Sequence, residues 1–177
     1  MAAPRTPQSP GPPNLADASA ADRVMSITRV FAAPRALVWQ AWTEPEHVAQ
    51  WFGPRGFTTR VEELDFRVGG RSRYVMIGPD GTEYPSTGVF VEIVSGERIV
   101  TTDEFAEDFD RTKAVELPEG MVLTTEFDDV GEAGDKTRVT LRLSHPTVEE
   151  RQKHAKMGVV DGWKSSLDCL QEHLASM

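Results

Sequence analysis

The residues of this chain that could do chemistry are four histidines, one cysteine, a run of acids after position 102 and a few hydroxyls. Their spacing excludes most of what such groups can do. His47, His145, His154 and His173 show neither the H-E-x-x-H order nor any other ligand spacing, so they read as exposed or capping imidazoles, and no metal is expected. Cys169 has no second cysteine with which to share a metal or a disulfide, and its place beside Leu170 on an apolar helix reads as a packed thiol. Ser165 and Ser166 follow Lys164 without a Ser-His-Asp arrangement and are assigned no catalysis. Gly69-Gly70, ahead of Arg71 and Ser72, fits neither G-x-G-x-x-G nor G-x-x-x-x-G-K-[ST]; a hairpin turn accounts for it, and no cofactor is expected.

Asp103, Glu104, Glu107, Asp108 and Asp110 could gather a divalent cation, but they lack the Asp-x-Asp-x-Asp-Gly order of a calcium loop. A solvated loop is the plainer reading. Phe105 and Phe109 interleave the charges, which suits a lid with an aromatic underside over a binding site. A general acid or base, if this chain has one, comes from Tyr74, His47 or a carboxylate.

The elements that must position these groups follow from patterning. Residues 1–22 are rich in Pro, Ala and Ser, show no hydrophobic periodicity and read as a disordered tail; residues 23–177 read as one domain. Val24, Met25, Ile27, Val30 and Phe31 predict a first strand, and Pro34 is placed to open a helix with Leu37, Val38, Ala41 and Trp42 on one face. Thr43 with Glu46 resembles a capping box around Pro45, so a second short helix is expected to end near Trp51 or Phe52, before Gly53-Pro54. Strands are predicted over 57–68, 71–77, 84–94, 98–105, 121–127 and 136–143, with turns at 78–81, 95–96 and 131–135. Glu62-Glu63 breaks the alternation and marks a bulge. Thr147 and Glu150 form a second capping box, opening one long helix to the C-terminus with Met157, Val160, Trp163, Leu167, Leu170 and Leu174 as its apolar stripe. Gly158 and Gly162 inside it admit a close neighbour or a ligand, or mark a kink.

Trp39, Trp42 and Trp51 crowd the two short helices, and each ring can bury roughly 150–250 Å², so these helices cover either a core or an apolar cavity. Polar residues able to orient a ligand are Arg73, Tyr74, Thr87, Thr101 and Thr125. Parity sets Tyr74 and Met76 on one face of their strand, opposite Arg73, Val75 and Ile77, and the first pair is taken as inward. The net charge of −9 argues against nucleic-acid and anionic-membrane partners. The first 22 residues carry only Arg5, Asp17 and Asp22, so nearly all of that charge belongs to the domain. The single cysteine favours a cytoplasmic setting, and no apolar run is long enough to predict a membrane span.

The order of elements, together with the segments Ala33-Pro-Arg-Ala-Leu-Val-Trp-Gln-Ala-Trp-Thr-Glu-Pro-Glu-His-Val-Ala-Gln-Trp-Phe-Gly-Pro54 and Gly162-Trp-Lys-Ser-Ser-Leu-Asp-Cys-Leu170, resembles the Hsp90-ATPase-activator-like branch of the START-like superfamily. The likeness runs from about Val24 to Ala175. It implies an α+β helix-grip fold, a curved antiparallel sheet of about six or seven strands around the last helix, often enclosing an apolar cavity. Relatives of that kind include lipid carriers, hormone receptors, aromatase and cyclase enzymes and a co-chaperone domain, and fold alone does not choose among them. The expected function is non-enzymatic binding of a small hydrophobic or aromatic molecule, such as a lipid, polyketide or polyphenol. A cyclase- or dehydrase-like enzyme and an Hsp90-type co-chaperone module are the alternatives. The residues expected to touch the ligand are Trp51, Phe52, Tyr74, Met76, Phe90, Phe105, Met121, Phe127, Met157, Val160, Trp163 and Leu167.

Overall fold

The computed structural model describes residues 20–103 and 120–177. The stretch read as a tail lies outside them up to residue 19, as do Phe105, Phe109 and the acids Glu104, Glu107, Asp108 and Asp110 of the expected lid. Strand β1 (Val24–Phe31) alternates as its sequence dictates: Met25, Ile27 and Phe31 turn into the core, and Ser26, Thr28 and Val30 to solvent. Helix α1 (Arg35–Thr43) follows Pro34, and α2 (Pro45–Trp51) begins on Pro45, where a missing N–H leaves no intrahelical bond unmade. The expected Thr43–Glu46 capping box does not form. Glu44 is the N-cap without a side-chain bond, and Thr43 Oγ1 donates back to the Trp39 carbonyl at 2.9 Å. A threonine in the last turn of one helix is captured by that turn's free carbonyl before it can serve the next helix.

The remaining strands are β2 (Thr58–Leu64), β3 (Arg71–Ile77), β4 (Glu83–Val94), β5 (Arg98–Asp103), β6 (Val122–Val130) and β7 (Lys136–Ser144). They form one antiparallel sheet in the order β1-β7-β6-β5-β4-β3-β2, a meander closed at one edge by the first strand. The bulge expected at Glu62-Glu63 is present as a register shift between Val61 and Glu63, and a second lies between Phe90 and Glu92. Each adds bend to the sheet. The first strand of the meander stops at Leu64, short of the expected Val68, because residues 65–70 fold into a turn. A side chain at Gly70 would stand 2.0 Å from the Asp65 carbonyl oxygen, so only glycine closes it.

At the C-terminus, Thr147 caps α3 (Val148–Lys156), accepting the Glu150 N–H at 3.1 Å as the sequence predicts. The single long helix does not continue. Gly158 adopts φ 81°, a left-handed conformation that ends α3 and opens α4 (Val159–Leu174). Gly162 stays helical, and a methyl there would rest 4.0 Å from Pro54, in ordinary contact. The two glycines therefore separate: Gly158→Ala is expected to lower stability by about 1–2 kcal/mol, and Gly162→Ala to raise it by about 0.5–1 kcal/mol. Urea midpoints that shift in the same direction for both variants would contradict this assignment.

Leu167, Leu170 and Leu174 of α4 pack on the sheet with Met25, Ile27, Leu141 and Leu143, so the sheet grips the second of the C-terminal helices. No helix among the described residues is long and apolar enough to cross a membrane.

Candidate functional site

Directly opposed residues of an antiparallel sheet share a face, so register tells which side chains look toward α4. Phe90 opposes Thr101, Thr101 opposes Leu123, Leu123 opposes Leu143, and Leu143 opposes Met25. Met25 and Leu143 belong to the core with α4, which fixes this face as the concave one. Ser72, Gly88 and Asp103 stand in one row across β3, β4 and β5 on the same face, and Tyr74 and Met76 follow Ser72 along β3. The inward placement of Tyr74 and Met76 is therefore the observed one.

That face divides into a sealed half and an open half. Under β1, β7 and β6, Ile27, Leu141, Leu143, Leu167 and Leu170 retain at most 6% of their surface. Toward β3 and β5 and the first turns of α4, Phe52, Tyr74, Met121, Leu123, Val160 and Trp163 remain only half-buried. The two halves are joined by an unbroken chain of aromatic rings. It runs from Phe90 through Phe66, Trp39, Phe127, Trp42 and Trp51 to Phe52, with centroid separations of 4.5–5.8 Å. Phe52 then meets Tyr74 at 4.9 Å and Trp163 at 5.8 Å, edge-on to the latter. The α2 terminus that presents Phe52 is held on both sides. Trp51 Nε1 donates to the Ala41 carbonyl at 2.8 Å, and the Thr59 hydroxyl donates to the carbonyl of Phe52.

The residues expected to line a ligand site fall into four groups. Phe52, Tyr74, Met76, Met121, Val160 and Trp163 border the open half. Trp51, Phe90, Phe127 and Leu167 lie in the interior, each at most 4% exposed, so Trp51 is a core residue. Met157 does not belong to the α4 stripe; it ends α3 at the Gly158 break and is 45% exposed. Phe105 lies outside the described residues.

Burial pushes the Tyr74 phenol up to about 12, against a smaller opposing effect of its hydrogen bond with Ser72. The same cause raises the Asp103 carboxyl to about 7, with no hydrogen bond or positive charge among the described residues to offset it. Sequence reading treated Asp103 only as the start of an acidic run. The available signal was its parity with Thr101, which carries it to the inner face.

The histidines, scattered in sequence, meet in two pairs. His47 Nδ1 lies 2.9 Å from His173 Nε2, joining α2 to the end of α4, and His145 Nε2 lies 2.8 Å from His154 Nδ1, joining the end of β7 to α3. His145, 3% exposed, sets its Nδ1 3.2 Å from the Arg23 carbonyl oxygen, so that nitrogen carries a proton and Nε2 is turned to His154. Burial and then the neighbouring His145 push His154 down to about 4, and burial followed by His47 lowers His173. Among the described residues no three of His, Cys, Asp or Glu converge on a metal position. Cys169 is half-buried, its thiol raised first by that burial, which makes it a poor nucleophile. Ser165 and Ser166 are engaged structurally, the first accepting the Arg55 N–H at 2.9 Å and the second donating to the Gly162 carbonyl at 3.0 Å.

Away from the open half, a surface depression of about 470 Å³ lies where α1 begins, between Pro34, Arg35, Trp39, Gly96 and Asp129. Its charged groups, Arg35 and Asp129, are paired with one another at 3.0 Å.

Three solved structures share the architecture. A protein from Nitrosomonas europaea is 30% identical, with a TM-score of 0.72 over 88% of this chain and 96% of that one. Proteins from Arthrobacter aurescens, 27% identical with a TM-score of 0.77, and Mycobacterium smegmatis, 26% identical with 0.76, each match 89% of this chain and cover 89% and 94% of their own. No curated protein matches the sequence. The family model described as Activator of Hsp90 ATPase homolog 1-like protein matches residues 32–175. With that match spanning most of its length, and with a helix-grip sheet beneath it, the chain belongs to the Activator of Hsp90 ATPase homolog 1-like family.

Proposed function

We propose that this protein binds a small apolar or aromatic molecule, without transforming it, between the open half of the sheet and the first turns of α4. The observation that carries this reading is the unequal sealing of one continuous face. Ile27, Leu141 and Leu167 have lost nearly all contact with water, whereas Phe52, Tyr74, Leu123, Val160 and Trp163 point inward and keep part of their surface. Inward-facing apolar side chains that stay wet are a standing source of binding energy. Covering 300 Å² of ligand surface contributes roughly 7.5 kcal/mol at about 25 cal/mol per Å², from which the costs of association are subtracted.

Titration with a panel of fatty acids and polyphenols, followed by amide and indole N–H shifts, tests it. Saturable shifts at Trp163, Val160 and Tyr74, with Leu141 and Leu170 unmoved, are expected. A panel that leaves Trp163 and Val160 unmoved throughout would remove the reading. The family's name supports a second one, stimulation of an Hsp90 ATPase. An ATPase rate unchanged at saturating protein rejects it.

A further inference from the structure

The row Ser72–Gly88–Asp103 gives the open half a polar centre. Gly88 sets no side chain between Ser72 and Asp103, which stand two strand spacings apart on the inner face, about 10 Å. A side chain at Gly88 would crowd Ser72 Oγ and the Thr102 carbonyl oxygen, each 3.3 Å from its first carbon. On one side of Gly88 the Ser72 hydroxyl is bonded to that of Tyr74; on the other is a carboxyl group withdrawn from water with no cation beside it among the described residues. Tyr74, bonded to Ser72, meets Phe52, which in turn meets Trp163, and aromatic faces attract ammonium groups. The net charge of −9 draws cations toward the domain and repels anions.

We propose that the open half takes an amine-bearing apolar molecule, its ammonium paired with the Asp103 carboxylate and its apolar body among Phe52, Tyr74 and Trp163. This rests on the binding site proposed above and adds the chemical class of its occupant.

Among the described residues the groups facing Asp103 are few. Across β4 they are Gly88 and then Ser72 with Tyr74; across β6, Met121 stands opposite, its carbonyl accepting the Asp103 N–H at 3.1 Å. Beyond Met121 come His145 at the end of β7, the Arg23 backbone that His145 bonds, and His154 of α3. His154 is neutral well below neutral pH and Tyr74 well above it. An ammonium ligand selects the ionised carboxylate, so amine affinity rises as pH passes upward through the carboxyl's titration near 7.

Calorimetric titration of the full chain with naphthylethylamine and its uncharged counterpart naphthylethanol, at pH 6 and pH 8, tests the proposal. Amine binding is expected to be tighter at pH 8 by about eight- to tenfold, the ratio of ionised carboxylate at the two values, and alcohol binding to be unchanged. Asp103→Asn is expected to abolish the amine's pH dependence and its advantage while leaving the alcohol bound. In the unsubstituted protein the Asp103 carboxyl resonance should titrate at lower pH with the amine and not with the alcohol, a readout independent of whether the variant folds. Equal binding of amine and alcohol at both pH values, or an amine preference that survives Asp103→Asn, overturns the role of Asp103 and leaves the binding site standing. Failure of both probes, together with silence from the fatty acids and polyphenols, overturns the binding site itself.

Discussion

Trp51→Ala is expected to cost about 3–5 kcal/mol of folding stability, a large part of what a domain of this size possesses. The ring is 2% exposed, stands 4.5 Å from Trp42 and 5.7 Å from Phe52, and spends its only donor on the Ala41 carbonyl. Truncation removes these contacts, opens a cavity in a chain of rings with little freedom to collapse, and leaves a buried carbonyl unpaired. Trp51→Phe keeps most of the bulk and isolates the hydrogen bond, so a loss of about 1–3 kcal/mol is expected from it. Urea unfolding of the three proteins measures both quantities. A loss below 1 kcal/mol for the alanine variant would mean that α2 does not depend on this anchor, and that Phe52 is placed by other means.

The second large effect has the opposite sign. Asp103→Asn is expected to stabilise the protein at pH 8. The carboxyl is raised from an ordinary 3.8 to about 7 in the folded state, so folding favours its protonated form. The contribution is fully present below pH 4, and is lost as pH rises through 7 and the folded chain must hold a buried negative charge. Asparagine escapes that loss. The gain at pH 8 is of order a few kcal/mol, with about 4 kcal/mol as its upper bound from the shift. Melting temperatures of variant and parent should therefore coincide near pH 4 and diverge toward pH 8; parallel curves would show that Asp103 is not held away from water. A residue that weakens the fold at neutral pH is placed where a bound cation offsets the cost, which ties this measurement to the amine titration.

What the sequence made legible was local. The period-two runs of Val, Ile and Thr located all seven strands, the small residues at 78–81, 95–96 and 131–135 located three reversals, and Thr147 with Glu150 located a helix start. Features that depend on competition between neighbours were misjudged: Thr43 had two possible partners and took the nearer, and Gly158 sat within an apolar stripe that continues in period across the break. The site itself was legible in part. Tyr74 and Met76 were paired by strand parity, Val160 and Trp163 by helical periodicity and Phe52 by its place before Gly53-Pro54, whereas the parity of Asp103 with Thr101 gains its meaning only once the register of β3, β4 and β5 is known. His47 and His173 are remote in the chain, and nothing local signals that their ring nitrogens meet.

The position of β1 constrains how the molecule is made. Strands β2 to β6 each pair with the strand that follows, but among the described strands β1 pairs only with β7, from Val24 opposite Ser144 to Phe31 opposite Thr137. The buried Thr137 hydroxyl bond to the Ala33 carbonyl and the Arg29 ion pair with Asp168 of α4 close the same seam. On the ribosome, β1 therefore emerges first and is paired last. Until β7 has been synthesised, Met25, Ile27 and Phe31 belong to a strand with no neighbour and no helix to cover it, a segment prone to mispairing with other chains. Closing the longest loop in the fold is then the step that completes it, so nascent chains that stop before Lys136 carry an adhesive N-terminal strand with nowhere to dock.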